Sequence, residues 1–271
     1  MYLKIILTLV LSSMIVGCTN VSVTVPDYQP LDDKGPICLP YTPQGSVTYN
    51  SEWTGAYPAI EAYNKPFKTI TLAMGCFWGP AAEYATVEGV LRTRVGYSGG
   101  DLTQPSYDNL GNHVEIFEVD YDPDLISYAD LVELYFVFYD ASMRPISQRV
   151  KPVIYYRTDE EYTMATKIKQ VIEAQSEDGI FAVIEPFEIF YLAEAKHQLS
   201  YLKQETSLYG EISQIFENDD QLILSILASK LNGFIPGYGN PEELAAIIED
   251  SGLSQQSMHR IDEILASRDK K

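Results

Sequence analysis

The sequence contains little cysteine and little positive charge, and both shortages exclude classes of protein. Three cysteines in 271 residues are too few for a disulfide framework, and Cys18, Cys38 and Cys76 lack the short paired spacing of a zinc site. Nineteen Lys and Arg residues against 38 Asp and Glu residues give a net charge of −19. Because this charge repels phosphate backbones, we expect no nucleic-acid partner.

The first 18 residues have the layout of a signal peptide. Lys4 precedes an uncharged run from Ile5 to Val16, which spans only about 18 Å as a helix, whereas a hydrocarbon core needs about 30 Å. The following Gly17-Cys18 completes a resemblance to the lipobox of bacterial lipoproteins, which implies lipidation at Cys18. The alternative is an ordinary cleaved signal peptide. Since no aspartate follows Cys18 closely, the sorting rule of these lipoproteins points to the outer membrane of the cell envelope.

The mature chain divides into three parts by composition. Residues 19–66 are rich in Pro, Gly, Ser, Thr and Tyr and have no sustained apolar period, which predicts a flexible tether. Residues 67–208 alternate β-rich runs with amphipathic stretches, which predicts one α+β domain, a two-layer sandwich with a mixed sheet. Residues 209–271 predict a helical extension that packs on this sandwich.

Five strands and four helices are predicted within the α+β domain. The strands are Lys68 to Met74, Leu91 to Tyr97, Val114 to Tyr121, Val153 to Tyr156 and Phe181 to Phe190. The helices begin near Phe77, at Ser127, at Thr158 and near Ala193, and Ser127 and Thr158 precede an acidic residue at capping-box spacing. In the extension, residues 220–231 predict a helix with Asn232-Gly233 as its C-cap, and Asn240-Pro241 begin the next of two or three short helices.

The most informative segment is Met74 to Gly79, where a predicted strand runs into a helix. A cysteine at a helix N-terminus meets the positive end of the helix dipole and free N–H groups, which favour thiolate over thiol. Cys76 is therefore a candidate nucleophile, and Phe77 and Trp78 are candidate walls of an apolar substrate pocket. The alternative is a buried structural cysteine in an aromatic core.

The string Gly-Cys-Phe-Trp-Gly resembles the signature of the A-type peptide methionine sulfoxide reductases. The likeness continues in family order through residues 92–100, 105–107, 112–115, 121–128 and 190–201. Residues 231–239 resemble a bacterial subgroup of the family that carries extra C-terminal helices. The resemblance covers about residues 67–265. It implies the ferredoxin-like fold of the family and reduction of the S-epimer of methionine sulfoxide in proteins or peptides.

The reaction that the resemblance implies needs a nucleophile and an acid. A thiolate attacks the sulfoxide sulfur, and the oxygen must be protonated to leave, which yields methionine and a cysteine sulfenic acid. Strand alternation places Glu115 on one face with Phe117 and Val119, where desolvation raises the pKa of a carboxyl group. The family assigns the acid to the residue matching Glu115 and a hydrogen bond to the sulfoxide oxygen to the residue matching Tyr107. An ordinary edge-strand carboxylate is the alternative for Glu115.

Three further polar residues near these motifs are predicted to support the pocket. His113 lies two residues before Glu115 and either orients the carboxyl group or the loop, or is a structural histidine. Glu194 and His197 have helical i, i+3 spacing, but two ligands without a third do not make a metal site. We therefore expect no metal and no bound cofactor.

The sequence departs from the family in residues 139–152 and in its cysteines. Val150 stands where the family has a second pocket tyrosine, and loss of one such donor typically costs about 2.7 to 4 kcal/mol in the transition state, so slower turnover is expected. No cysteine follows Cys76. Either an external thiol reductant, thioredoxin-like or other, reduces Cys76 directly, or Cys38 acts as a resolving thiol from the tether.

Together these features predict a membrane-anchored, monomeric methionine sulfoxide reductase that acts on oxidised envelope proteins or peptides with a thiol reductant. The main alternative is a catalytically weak or inactive family member that acts as an envelope binding lipoprotein, because residues 139–152 diverge from the family. A cysteine hydrolase that uses His113 or His197 is disfavoured, since no oxyanion or triad signature is present.

Overall fold

The computed structural model describes the backbone of residues 38–39 and describes residues 61, 63–249 and 251–268. The predicted signal peptide, the lipidation site at Cys18 and most of the predicted tether lie outside the described residues. Among the helices that are described, none is long and apolar enough to cross a membrane.

A mixed sheet of seven strands forms the centre of the described part of the chain. The strands are β1 (Cys38–Leu39), β2 (Lys68–Ala73), β3 (Val90–Ser98), β4 (Val114–Tyr121), β5 (Val153–Tyr156), β6 (Val183–Pro186) and β7 (Phe190–Leu192). Their order is β1-β7-β3-β4-β2-β5-β6. β5 and β6 are parallel, and all other neighbouring strands are antiparallel.

Helices follow the strands and continue into the C-terminal region. They are α1 (Trp78–Ala85), α2 (Tyr128–Phe138), α3 (Asp159–Glu173), α4 (Thr206–Ser213), α5 (Asp219–Ile223), α6 (Ile226–Phe234), α7 (Pro241–Ile248) and α8 (Gln255–Arg268), with single 3-10 turns at Gln148–Val150, Ala195–His197 and Leu202–Gln204. Helix and sheet side chains share a core that includes Phe77, Tyr84, Phe117 and Leu131. The predicted α+β class is confirmed.

Local sequence signals determine several element boundaries. β4 and β5 have the predicted limits. The Ser127 hydroxyl accepts from the Asp130 N–H, and the Asp130 carboxylate accepts from the Ser127 N–H, which closes the predicted capping box of α2. Thr158 caps α3 by accepting from Glu161 N–H.

The single strand predicted from Phe181 to Phe190 is wrong, because the segment contains two strands on opposite sides of the sheet. β6 pairs with β5, whereas β7 pairs with β3. β6 ends at Pro186, which has no N–H to continue a ladder. The helix predicted near Ala193 is reduced to one 3-10 turn. Here the Gln198 side chain binds the Val95 N–H and C=O groups and so holds the chain against β3.

The single helix predicted at residues 220–231, with a C-cap at Asn232-Gly233, is also wrong. Ser225 interrupts it and caps α6 by accepting from Ala228 N–H, and α6 continues to Phe234. Gly233 lies inside α6, where an added Cβ would stand 2.3 Å from the carbonyl oxygen of Ala82 in α1. This glycine therefore permits close packing of two helices.

The predicted start of α7, with Asn240 as N-cap and Pro241 following, is confirmed.

The C-terminal helices have their own core and also pack on the α+β region. Their core includes Leu208, Ile212, Leu227 and Leu231. α6 joins the two regions, since Ser229 Oγ accepts from Thr93 N–H of β3 at 2.9 Å. The extension thus supports α1 and β3, which form one side of the site described below.

Two points inside the predicted tether are attached to the folded region. Residues 38–39 pair with β7, with Cys38 opposite Tyr191. The buried Glu61 carboxylate accepts hydrogen bonds from the Ile226 and Leu227 N–H groups at 3.1 and 2.8 Å, at the N-terminus of α6. The end of this segment is therefore held beside α6 rather than free.

Candidate active site

Cys76 lies at the junction between β2 and α1. The junction turns at Gly75, whose φ of +81° is a conformation that glycine adopts without strain. The Cys76 thiol is free and the residue is exposed, so the alternative of a buried structural cysteine is wrong. The following residue, Phe77, is fully buried and fixes the junction on the core.

The pKa of the Cys76 thiol differs from the expectation for a helix N-terminus. Desolvation raises this pKa and outweighs the opposing hydrogen bond from the Trp78 N–H, and the negative charge of Glu115 raises it further. The shift is opposite to the predicted preference for thiolate, and desolvation is its main cause. Because the two charges repel, protonation of Glu115 favours ionisation of Cys76.

Glu115 is buried on β4, with only 3% of its surface exposed. Its Oε2 accepts a hydrogen bond from the Phe77 N–H at 3.3 Å, which places the carboxyl group at the backbone of the residue that follows Cys76. Desolvation raises the pKa of Glu115, although the Phe77 N–H and the Arg149 charge act in the opposite direction. The direction of this shift agrees with the sequence-based expectation and suits an acid that holds its proton closer to neutral pH.

Aromatic rings form a continuous wall beside the thiol. The Phe77 and Trp78 ring centroids lie 6.4 Å apart, and each is 5.7 Å from the His197 ring. The Tyr107 ring also contacts His197, in a tilted arrangement with the ring centroids 4.4 Å apart. Trp78 keeps 37% of its surface exposed. The wall therefore presents an open apolar face that suits a thioether or methyl group.

Glu194 holds this wall in place. Its Oε2 accepts from the Tyr97 hydroxyl at 2.7 Å, and its Oε1 accepts from the Tyr107 N–H at 3.0 Å. Burial would raise the pKa of Glu194, but these hydrogen bonds lower it overall, so the residue stays ionised. Desolvation lowers the pKa of His197, whose ring is therefore neutral near pH 7. Both residues support the pocket, as predicted from the sequence.

His113 binds the loop between β3 and β4. Its Nδ1 accepts from the Gly100 N–H at 3.2 Å, and its Nε2 lies 2.9 Å from the Leu102 carbonyl oxygen. Of the two roles that the sequence left open, orientation of the carboxyl group or of the loop, these contacts support the second. No group of three or more potential metal ligands occurs among the residues that the structure describes.

Arg149 is a site residue that the sequence did not predict. It lies in the 3-10 turn Gln148–Val150, and its Nε is 3.7 Å from Glu115 Oε1. Its guanidinium carbon lies 4.5 Å from the centre of the Tyr107 ring, and its Nη2 donates to the Tyr107 carbonyl oxygen. The one feature of the sequence that could have indicated a role for Arg149 is its position directly before Val150, which stands where the family has a pocket tyrosine.

The C-terminal extension also reaches the site, which the sequence did not predict. An ideal Cβ on Gly79, in the first turn of α1, would lie 3.7 Å from the Tyr238 hydroxyl and 3.9 Å from the Tyr201 hydroxyl. Desolvation and the nearby Cys76 raise the pKa of Tyr201. Two phenols, one of them from the extension, thus line the side of the site formed by α1.

Comparison with known proteins identifies the family of this chain. Residues 68–226 match the family described as peptide methionine sulfoxide reductase. A Drosophila melanogaster peptide methionine sulfoxide reductase is 36% identical over 188 residues, which cover 69% of this chain and 75% of the relative. The MsrA of Methanothermobacter thermautotrophicus is 34% identical over 149 residues, which cover 51% of this chain and 88% of the relative. The crystal structure of reduced Mxr1 from Saccharomyces cerevisiae superposes with a TM-score of 0.48 and 26% identity, over 56% of this chain and 91% of that chain. The chain belongs to the peptide methionine sulfoxide reductase family, type A, and is an oxidoreductase that reduces methionine sulfoxide.

Proposed function

We propose that this chain reduces the S-epimer of methionine sulfoxide in proteins or peptides, with Cys76 as nucleophile and Glu115 as acid. The observation that carries the proposal is the coupling of these two groups. The Glu115 carboxyl group binds the N–H of Phe77, the residue directly after Cys76, and its charge acts on the thiol. A proton on Glu115 removes the charge that raises the pKa of the Cys76 thiol, so ionisation of Cys76 is easier when Glu115 is protonated, as the reaction requires.

The chemical step moves one oxygen atom and two electrons. The Cys76 thiolate attacks the sulfoxide sulfur and forms a sulfur–sulfur bond, and the bond between the substrate sulfur and its oxygen breaks. This oxygen then attacks the Cys76 sulfur, the sulfur–sulfur bond breaks, and methionine leaves. The proton of Glu115 moves to this oxygen, which gives a sulfenic acid on Cys76 and a carboxylate at Glu115. The cysteine sulfur is oxidised by two electrons, and the substrate sulfur is reduced by two.

The pocket walls support this assignment of roles. Trp78 offers an exposed apolar surface to the methyl group of the substrate, with the buried Phe77 ring behind it. The Tyr107 ring, which contacts His197, carries a phenol that can donate to the sulfoxide oxygen. The epimer is selected because the methyl group and the oxygen must reach opposite sides of the pocket at the same time.

We further propose that an external thiol, thioredoxin-like or other, recycles the sulfenic acid. Two observations support this pathway: Cys76 is exposed, and no cysteine follows it in the sequence. The competing pathway uses Cys38, whose strand pairs with β7 opposite Tyr191, while Tyr191 itself pairs with Tyr97 of β3. The two pathways differ in their product, a free sulfenic acid or a disulfide between Cys38 and Cys76.

The proposed place of action is the bacterial cell envelope, with a lipid anchor at Cys18 and oxidised envelope proteins or peptides as substrates. The support for this part is the lipobox-like end of the N-terminal segment. Labelling of the full chain with radioactive palmitate in a bacterial host tests it, since Cys18→Ser should abolish incorporation.

A single-turnover experiment tests the chemistry. Enzyme without reductant is mixed with a peptide carrying either epimer of methionine sulfoxide, and methionine and the state of Cys76 are followed by mass analysis. We expect one equivalent of methionine from the S-epimer and a sulfenic acid on Cys76 that reacts with dimedone. Cys76→Ser should abolish turnover, while Cys38→Ser is the matched control and should retain the first turnover. Binding without turnover by the wild type would favour the inactive binding lipoprotein instead.

A further inference from the structure

We propose that Arg149 is a catalytic residue whose guanidinium group donates a hydrogen bond to the sulfoxide oxygen during its transfer to Cys76. The proposal rests on the proposed function and adds to it a residue that belongs to the divergent segment 139–152. Arg149 also provides a hydrogen-bond donor in a pocket where the side chain of Val150 has none.

Arg149 contacts the two groups to which the proposed function assigns the sulfoxide oxygen, Tyr107 and Glu115. Its Nη2 donates to the carbonyl oxygen of Tyr107, and the guanidinium plane lies over the Tyr107 ring, with the central carbon 4.5 Å from the ring centroid. Its Nε stands 3.7 Å from Glu115 Oε1. A guanidinium group has five N–H donors in a rigid fork, so a side chain held at these points can still donate to a third group.

The exposure of Arg149 fits a group that meets substrate. Its side chain is 34% exposed, whereas that of Glu115 is 3% exposed, so Arg149 stands between the buried acid and solvent. Two other polar groups near Tyr107, the Tyr97 hydroxyl and the Lys196 ammonium, are less suited to this role. The Tyr97 hydroxyl donates to Glu194, and Lys196 Nζ is 5.9 Å from the Tyr107 ring centroid, in a side chain that is 58% exposed.

The chemistry gives Arg149 a role that strengthens during the reaction. As the bond between sulfur and oxygen breaks, negative charge develops on the oxygen, and a guanidinium group stabilises this charge while keeping its own proton. When Glu115 has lost its proton, its carboxylate faces Arg149, and this ion pair is absent from the starting state with a protonated acid. Both interactions therefore lower the barrier more than they strengthen substrate binding.

The test compares variants of residues 149 and 150 in the full chain, with the S-epimer of a sulfoxide peptide and dithiothreitol as reductant. Arg149→Gln should lower kcat by about 100-fold to 1000-fold, the usual effect of removing one donor at such a site, with a much smaller change in KM. Arg149→Lys should retain part of the activity. The double change Arg149→Gln with Val150→Tyr should recover at least tenfold in kcat, because it supplies a hydroxyl donor from the adjacent position.

Arg144→Gln is the matched control, since Arg144 lies in the same segment and packs over the Phe181 ring. It should leave kcat within about threefold, and thermal melting should show that all variants fold. An Arg149→Gln kcat within threefold of the wild type would refute the role of Arg149 alone, as would failure of Val150→Tyr to recover activity in a folded double variant. A wild type without Cys76-dependent turnover would overturn the proposed function and this inference together.

Discussion

The contact between α1 and α6 offers a quantitative test of how the C-terminal extension supports the site. At Gly233 an added Cβ would stand 2.3 Å from the Ala82 carbonyl oxygen and 2.5 Å from Thr86 Cγ2, so Gly233→Ala forces the two helices apart. Overpacking of this kind costs about 1 to 3 kcal/mol, and we take the upper end because one clash is with backbone. The gain in helix propensity from glycine to alanine offsets about 1 kcal/mol. The expected net loss is therefore about 2 kcal/mol.

A matched glycine in α4 separates the effect of helix packing on stability from the effect of helix propensity. Gly210 also lies inside a helix, but an added Cβ there meets no atom within 4 Å. Gly210→Ala should thus stabilise the protein by up to about 1 kcal/mol. Urea unfolding followed by circular dichroism measures both free energies, and Gly233→Ala should also melt about 4 to 8 °C below the wild type.

The same variant tests whether α6 holds the nucleophile. α1 begins at Trp78, two residues after Cys76, so a displaced α1 should lower kcat as well as stability. If Gly233→Ala proved as stable as Gly210→Ala, the close contact of α1 and α6 would be refuted. A normal kcat in a destabilised Gly233→Ala protein would instead show that α1 keeps its position without α6.

Two further substitutions test the electrostatics. Glu115→Gln should lower kcat by about 10² to 10⁴, as expected for loss of a general acid. It should also shift the pH dependence of Cys76 alkylation to lower pH, because the Glu115 charge raises the pKa of the thiol; an unchanged alkylation profile would contradict the coupling. Asp120→Asn should destabilise by about 3 to 5 kcal/mol, since Arg92 then loses its buried carboxylate partner at 2.8 Å and Arg94 keeps only the charge of Glu118, whereas the exposed Asp108→Asn should have little effect. Burial would raise the pKa of Asp120, but the arginine charges lower it overall, so wild-type stability from this group is present above its ordinary pKa and should be lost as the pH falls below it. Equal acid sensitivity of the wild type and Asp120→Asn would contradict this assignment.

Periodicity and capping signals were sufficient to predict the limits of strands and helices where local interactions determine them. The alternation in Val114–Tyr121 predicted both the limits of β4 and the face that carries Glu115. The boxes at Ser127 and Thr158 marked the starts of α2 and α3, because a cap involves residues only three positions apart. Local signals failed at residues 181–190. There a continuous β-rich run contains two strands that join opposite sides of the sheet.

The opposite face of β4 shows a second limit of local signals. Glu118 and Asp120 alternate with the apolar residues of the strand, yet both are buried, because Arg92 and Arg94 of β3 pair with them across the sheet. Alternation alone cannot distinguish such a charged, buried face from a solvated one. The difference depends on which neighbouring strand and side chains cover it.

The sequence by itself determined the family of this protein and pointed to the proposed reaction centre, a cysteine at a strand-to-helix junction and a carboxyl group on an apolar strand face. Only the tertiary structure decided how these groups act on one another. Glu115 binds the N–H of Phe77 across 38 positions, and Arg149 binds Tyr107 across 42. Desolvation and charge at such contacts depend on three-dimensional neighbours, which is why the direction of the pKa shift at Cys76 and the position of Arg149 beside Tyr107 and Glu115 emerged only from the fold.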